Sequence, residues 1–150
     1  MLVTGGLDYT GNNNLSGGVA FLNQIFGWDL SGIDPYPNCY DPDNAYLKNV
    51  TNTAGTVFSD DPATLGCPDL THSLNCNSVD CTVMYGNESD AVVAVIEHGD
   101  GIVIVLGLDF HQAGYEVDGF HADCADRRND WIEILRSSLY LGMLVAAGLV

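Results

Sequence analysis

Ala91-Val-Val-Ala-Val-Ile-Glu97, the turn His98-Gly-Asp-Gly101 and the run Ile102-Val-Ile-Val-Leu-Gly-Leu-Asp-Phe110 together decide the fold. Two β-branched apolar runs on either side of a Gly-Asp-Gly turn are the signature of a β-hairpin, here over about 91–110. From Ile102 to Leu106 no polar residue interrupts the second run. A strand without alternation needs cover on both faces, as in the interior of a layered α/β sheet. Gly107-Leu-Asp-Phe110 is where such a strand hands over to a loop.

The chain has 150 residues, a length that suits one domain over 1–150 with a core of its own. A hydrophobic content of 47% argues against disorder. Twenty acidic against four basic residues give a formal charge of −16. Nucleic acid is an unsuitable partner, because phosphate binding needs Lys and Arg to release counterions, and anionic membrane surfaces are disfavoured for the same reason. Solubility, divalent-cation binding and a salty habitat remain as reasons for the acidity.

Five cysteines without Cys-x-x-Cys pairs point to an extracellular or cell-surface location rather than to a zinc site. Cys39–Cys67 and Cys76–Cys81 are the preferred disulfides, with Cys124 left over. Asn14, Asn49 and Asn87 each open an Asn-x-Ser/Thr acceptor for N-linked glycans. Met1-Leu-Val-Thr-Gly-Gly6 has neither a basic start nor a long apolar stretch, so the chain reads as a mature form or a piece of a longer one.

Leu2 to Gly6 reads as a short strand entering a polar loop. A helix is expected over about 15–28, with Leu15, Val19, Leu22, Ile25 and Phe26 at helical spacing and Asn14 or Ser16 as its cap. From Asp29 to Leu70 five prolines make the sequence irregular, with a short strand expected at Thr56–Phe58. A strand over Thr82–Tyr85 precedes the hairpin, and a closing helix over about 130–146 starts at Asp130. The tail from Leu139 to Val150 carries no charge and is too short to span a bilayer, which takes ~20 apolar residues. Its expected place is against its own sheet or on a neighbouring copy.

Several segments occur in a telling order: Thr4-Gly-Gly6, Phe21-Leu-Asn-Gln-Ile-Phe-Gly-Trp28, Asp61-Pro-Ala-Thr-Leu65, Gly99 to Asp109, and Asp130-Trp-Ile-Glu-Ile-Leu135. The set resembles the C-terminal part of class I glutamine-amidotransferase-like domains, the flavodoxin-like group that includes trehalose-utilisation-type proteins. The resemblance implies an α/β fold with a partial flavodoxin-like sheet, whose opening strands would precede Met1. It carries over no catalytic residue. The family's nucleophile is a Cys on a strand-to-helix elbow between glycines, and no Cys here has that setting.

Asp109, at the end of the second hairpin strand, is the best-placed candidate for catalysis, with His111 and Glu116 near enough in sequence for acid–base work. His98, His111 and His121 with Asp109, Asp118 and Asp123 are candidate metal ligands, although a straight hairpin separates His98 from His111. Asp34, Asp41, Asp43 and Asn44, and separately Asp60 and Asp61, offer oxygen ligands for calcium without the twelve-residue loop pattern. Surface solvation and Asx turns explain these residues equally well. Ser16, Ser59 and Ser73 lack a Gly-x-Ser-x-Gly elbow.

The composition favours a non-enzymatic extracellular domain, glycosylated and disulfide-stapled, serving as a structural or surface-assembly subunit that forms oligomers or filaments. The rival expectations are a divergent amidotransferase-like or carbohydrate-active enzyme, and an acidic calcium- or ligand-binding module.

Overall fold

The computed structural model describes residues 1–4, 9–10, 14–15, 18–33, 45–66, 71–76, 79–86, 90–108 and 128–150. The chain is mixed α/β. In order, the elements are β1 (Leu2–Thr4), β2 (Tyr9–Thr10), β3 (Asn14–Leu15), α1 (Gly18–Phe26), β4 (Ser31–Ile33) and β5 (Tyr46–Leu47). There follow α2 (Val50–Thr53), β6 (Thr64–Leu65), β7 (Ser73–Asn75), β8 (Cys81–Gly86), β9 (Asp90–His98), β10 (Gly101–Leu106) and α3 (Arg128–Ala146).

The expected hairpin is the centre of a six-stranded mixed sheet. β9 and β10 pair antiparallel from Gly101 opposite His98 to Leu106 opposite Val93. Gly99 takes φ +57° in the turn, a conformation that favours glycine. β1 adds to the outer side of β10 in parallel, Leu2 opposite Ile104. β8 and β7 pair antiparallel with β9, and β4 closes the path on β7.

The unbroken apolar run of β10 is covered on both faces, as its sequence requires. Val103 and Val105 join Val19 and Leu22 of α1, together with Leu74, Ala94 and Ile96. Ile104 and Leu106 join Trp131 and Ile134 of α3, together with Phe58, Leu65 and Val95. Each such side chain removed from water is worth about 1.5–3 kcal/mol, so the two helices are held by the sheet between them.

Five details depart from the sequence expectations. Asn14 lies in β3, paired with Thr10, so it does not cap α1, which starts at Gly18. α1 stops at Phe26 because Gly27 turns left-handed at φ +68° and closes its N–H onto Asn23 O at 2.9 Å. α3 begins two residues before Asp130, which therefore sits in the first turn, where a carboxylate suits the helix dipole. Thr56–Phe58 is not a strand: the Thr56 hydroxyl donates to Thr53 O, Phe58 N–H donates back to that hydroxyl, and Ser59 N–H reaches Thr56 O. These short-range bonds satisfy the backbone as a chain of turns. The stretch after Asp29 is also less irregular than its prolines imply, since it holds β4, β5, α2 and β6.

Just beyond β10, a Cβ on Gly107 would stand 1.9 Å from His72 O, with His72 N–H bonded to Gly107 O at 2.9 Å. Backbone presses on backbone there, so neither side can yield cheaply. Gly107→Ala is expected to lower stability by about 2 kcal/mol or more. Gly101→Ala, whose Cβ would meet only His98 O at 3.7 Å, is the matched control and should change little. Urea denaturation midpoints of the two variants make the comparison.

Candidate functional site

A cluster of polar groups lies where the 45–66 segment meets β8 and α3, and an irregularity in the sheet creates it. β8 and β9 run in register at Val83 opposite Ala94, then shift so that Tyr85 faces Val93 and Gly86 faces Ala91. Met84 and Val92 are the residues without opposite numbers. Such bulges re-aim side chains. Here Met84 and Tyr85, neighbours in sequence, both enter the cluster on the α3 side, while Val83 stays on the other.

Tyr85 is fully buried, and its hydroxyl donates to Pro62 O at 2.6 Å. Around it the 45–66 segment is tied down by its own polar groups. Asn49 N–H donates to Met84 O at 2.8 Å, and Asn52 Nδ2 donates to Val83 O at 2.9 Å. Lys48 Nζ donates to Ser59 O at 2.9 Å and also to Asp61 O. From α3, Trp131 Nε1 donates to Gly66 O at 2.9 Å, and Ser137 Oγ donates to Asp61 Oδ1 at 2.9 Å. The other carboxylate oxygen, Asp61 Oδ2, is buried without a hydrogen-bond partner among the described residues.

Burial dominates the electrostatics. It pushes the Asp61 carboxyl above the ordinary carboxylate range. The Ser137 hydrogen bond and Lys48 oppose that rise, while Glu133 and Asp60 add to it. Burial also raises the Tyr85 phenol, with Asp61, Asp130 and Glu133 contributing, and it pushes Tyr46 up to about 12. Both tyrosines therefore stay protonated at neutral pH, and Tyr85 acts as a donor. Two of the three Lys48 protons are spent on backbone carbonyls, so this ammonium fixes a turn and is poorly placed to serve as a nucleophile. The cluster works as a clamp that fastens the 45–66 segment to the sheet and to α3. Among the described residues, Asp61 Oδ2 is the buried carboxylate oxygen of the cluster left able to take a proton.

The residues proposed from sequence fare unevenly. Cys76 and Cys81 lie at disulfide distance, with their Cα atoms 5.3 Å apart. Asn49 is the N-cap of α2, its Oδ1 accepting from Thr51 N at 3.2 Å and Asn52 N at 3.1 Å. Asp61 stands in the clamp, whereas Asp60 is exposed beside it. His98 ends β9 and packs edge-on against Phe26 and Trp28, with ring centroids 4.7 and 5.5 Å away. Asp34, Cys39, Asp41, Asp43, Asn44, Cys67, Asn87, Asp109, His111, Glu116, Asp118, His121, Asp123 and Cys124 lie outside the described residues. Among the described residues no group of three or more His, Cys, Asp or Glu gathers as a metal site.

Sequence reasoning passed over Tyr85, Ser137 and His72. The last has a buried Nδ1 without a hydrogen-bond partner among the described residues. A Tyr inside an apolar strand and a Ser inside a helix carry no local sign of their partners, which lie 23 and 76 residues away. Comparison with protein-family models, curated proteins and solved structures returns no match to the chain.

The raised Asp61 carboxyl makes the clamp acid-favoured. A group whose folded pKa lies above its unfolded value contributes stability below the unfolded value, ~4 for Asp, and loses it as the pH rises through the folded one. Between mildly acidic and neutral pH the wild type is therefore expected to lose stability from this carboxyl. Asp61→Asn, which cannot ionise, should flatten the dependence. Melting temperatures at several pH values for both proteins measure it, and equal slopes would show that Asp61 is not the group responsible.

Proposed function

We propose that this chain is an extracellular, non-enzymatic domain that works by assembling with copies of itself. The carrying observation is a change of character along the solvent side of α3. Its first half presents Glu133 and Arg136, both exposed. One turn further on, Leu139, Tyr140 and Met143 are 51%, 53% and 65% exposed, and no charge follows Arg136 to the end. Leu149 and Val150 are exposed as well. Apolar side chains at helical spacing, on a domain of charge −16, form the surface where two copies meet with least repulsion. No described helix is long and apolar enough to cross a membrane.

The extracellular part of the reading is supported by the Cys76–Cys81 pair and by the setting of Asn49. The Asn49-Val-Thr51 triplet sits at the start of α2, with Val50 and Thr51 exposed and Asn49 Oδ1 engaged as the cap. A glycan on Nδ2 would leave that cap in place. We propose further that the scaffold is the partial flavodoxin-like sheet of an amidotransferase-like domain. The parallel pairing of β1 with β10, and the packing of α3 across both strands, support it.

Two measurements follow. Sedimentation equilibrium should show a mass above the monomer that grows with protein concentration. Met143→Glu should return the chain to monomer, and added salt should strengthen wild-type association by screening the acidic charge. A wild type that stays monomeric at high concentration ends the reading. In a glycosylating host, the peptide bearing Asn49 should carry a glycan that Thr51→Ala removes without disturbing the helix cap. An unmodified Asn49 there would count against the surface assignment.

A further inference from the structure

The self-association proposed above leaves open what covers the apolar half of α3, and the shape of that half answers it. Leu135, Leu139, Gly142 and Ala146 recur at intervals of four, three and four, so they line one flank of the helix. Leu135 leans on the core, whereas Leu139 and Ala146 are exposed. The flank is uneven as a result. A leucine knob at 139 is followed by a shallow floor at 142 and 146, with exposed Met143 along its outer rim.

Gly142 is the informative residue. Glycine inside a helix weakens it relative to alanine. No neighbour in the subunit requires it, because a Cβ on Gly142 would meet nothing within 4 Å among the described residues. A glycine does, however, let a second backbone come close. The end of the helix is fixed as well. Gly148 turns left-handed at φ +66°, and Leu149 N–H donates to Leu144 O at 3.0 Å, which holds Leu149 beside the last turn. A surface shaped in this way before its partner arrives loses little entropy on binding.

We propose, resting on the self-assembly reading, that the occupant is the same flank of a second copy, packed antiparallel about a two-fold axis near Gly142. In that register Leu139 of each copy enters the floor that Gly142 and Ala146 leave on the other, so large meets small twice. A parallel pair would set leucine against leucine and alanine against alanine, crowding one level and leaving a void at the next. Charge agrees with the antiparallel direction. α3 has no basic residue in its last turn, so its carbonyl end lacks a cation of its own. Counted outward from Gly142, the exposed Arg136 of one copy stands level with Gly148 of the other, at that end. The acids of α3, Asp130 and Glu133, lie in its first two turns and outside the overlap. Leu139, Tyr140, Met143, Leu149 and Val150 together offer most of the ~800 Å² that each partner gives to a standard interface. The contact is isologous, so it closes at two copies.

Disulfide trapping tests the pairing, with every variant first checked by circular dichroism for an intact fold. A residue on a two-fold axis faces its own copy, so Gly142→Cys, mildly oxidised with glutathione disulfide, should give a covalent dimer on non-reducing gels. Val50→Cys, on exposed α2 surface, is the control and should give at least tenfold less, no more than the wild type's own cysteines give. Leu139→Cys mixed with Ala146→Cys should give more dimer than either alone, and the reverse would overturn the antiparallel pairing. By sedimentation the wild type should populate monomer and dimer only; larger assemblies overturn the closed contact. If the wild type associates while Gly142→Cys traps no more dimer than Val50→Cys, the helix docks elsewhere. That result overturns this pairing and leaves self-assembly standing. A monomeric wild type would instead defeat the self-assembly reading on which it rests.

Discussion

β10 must be dry on both faces, and the rest of the structure follows from that requirement. A strand reading Ile-Val-Ile-Val-Leu cannot leave either side to water, so it needs a neighbour on each edge and a layer above and below. β9 and β1 supply the edges. α1 covers one face through Val19 and Leu22, and α3 covers the other through Trp131 and Ile134. The helices differ in how far they exceed this duty. α1 is only nine residues long and is stopped by Gly27 once its buried residues are placed. α3 runs for nineteen, and its second half passes beyond what the sheet can cover.

The side of the sheet facing α3 is wider than a single helix can shield, and the 45–66 segment fills the remainder. Its contribution to the core is Phe58 and Leu65, both fully buried, but most of the segment is polar backbone that must find partners. The bulge between β8 and β9 solves this by turning Met84 and Tyr85 to the same side. Tyr85 then answers a carbonyl of the segment, and the segment's Asn49 and Asn52 answer carbonyls of β8. Asp61 is the residual cost of the arrangement: one oxygen is satisfied by Ser137 and the other is buried without a partner among the described residues, in the company of Glu133 and Asp60. A carboxylate so placed weakens the clamp at neutral pH, which is why its protonation matters.

The hairpin was legible because two unbroken apolar runs flank a Gly-Asp-Gly turn, the strand expected over Thr82–Tyr85 lies within β8, and both longer helices were marked by apolar residues at helical spacing. The end of α1 was read two residues too late, because the left-handed turn of Gly27 shows only in the structure. The 45–66 segment was not legible. Thr56-Val-Phe58 has the composition of a strand, yet the Thr53 and Thr56 carbonyls and the Thr56 hydroxyl capture the nearby hydrogen bonds and bend it into turns. Nor could the bulge be read in advance. Val83, Met84 and Tyr85 look like ordinary alternation until the register with β9 is known. The clamp itself joins residues far apart in sequence, and its acid was noticed only as a generic oxygen ligand. Side chains whose roles depend on a distant carbonyl leave no mark on their own neighbourhood.

Charge and apolar surface are distributed unequally over the finished fold, and this gives the molecule its polarity. An acidic domain remains soluble through mutual repulsion, which also opposes association of any kind. Repulsion is weakest where acids are few, and the second half of α3, after Arg136, has no charge. The α1 side presents Phe21 and Ile25 beside the stacked rings of Phe26 and Trp28. The layering that dries both faces of β10 thus leaves its uncharged apolar surplus at the end of α3.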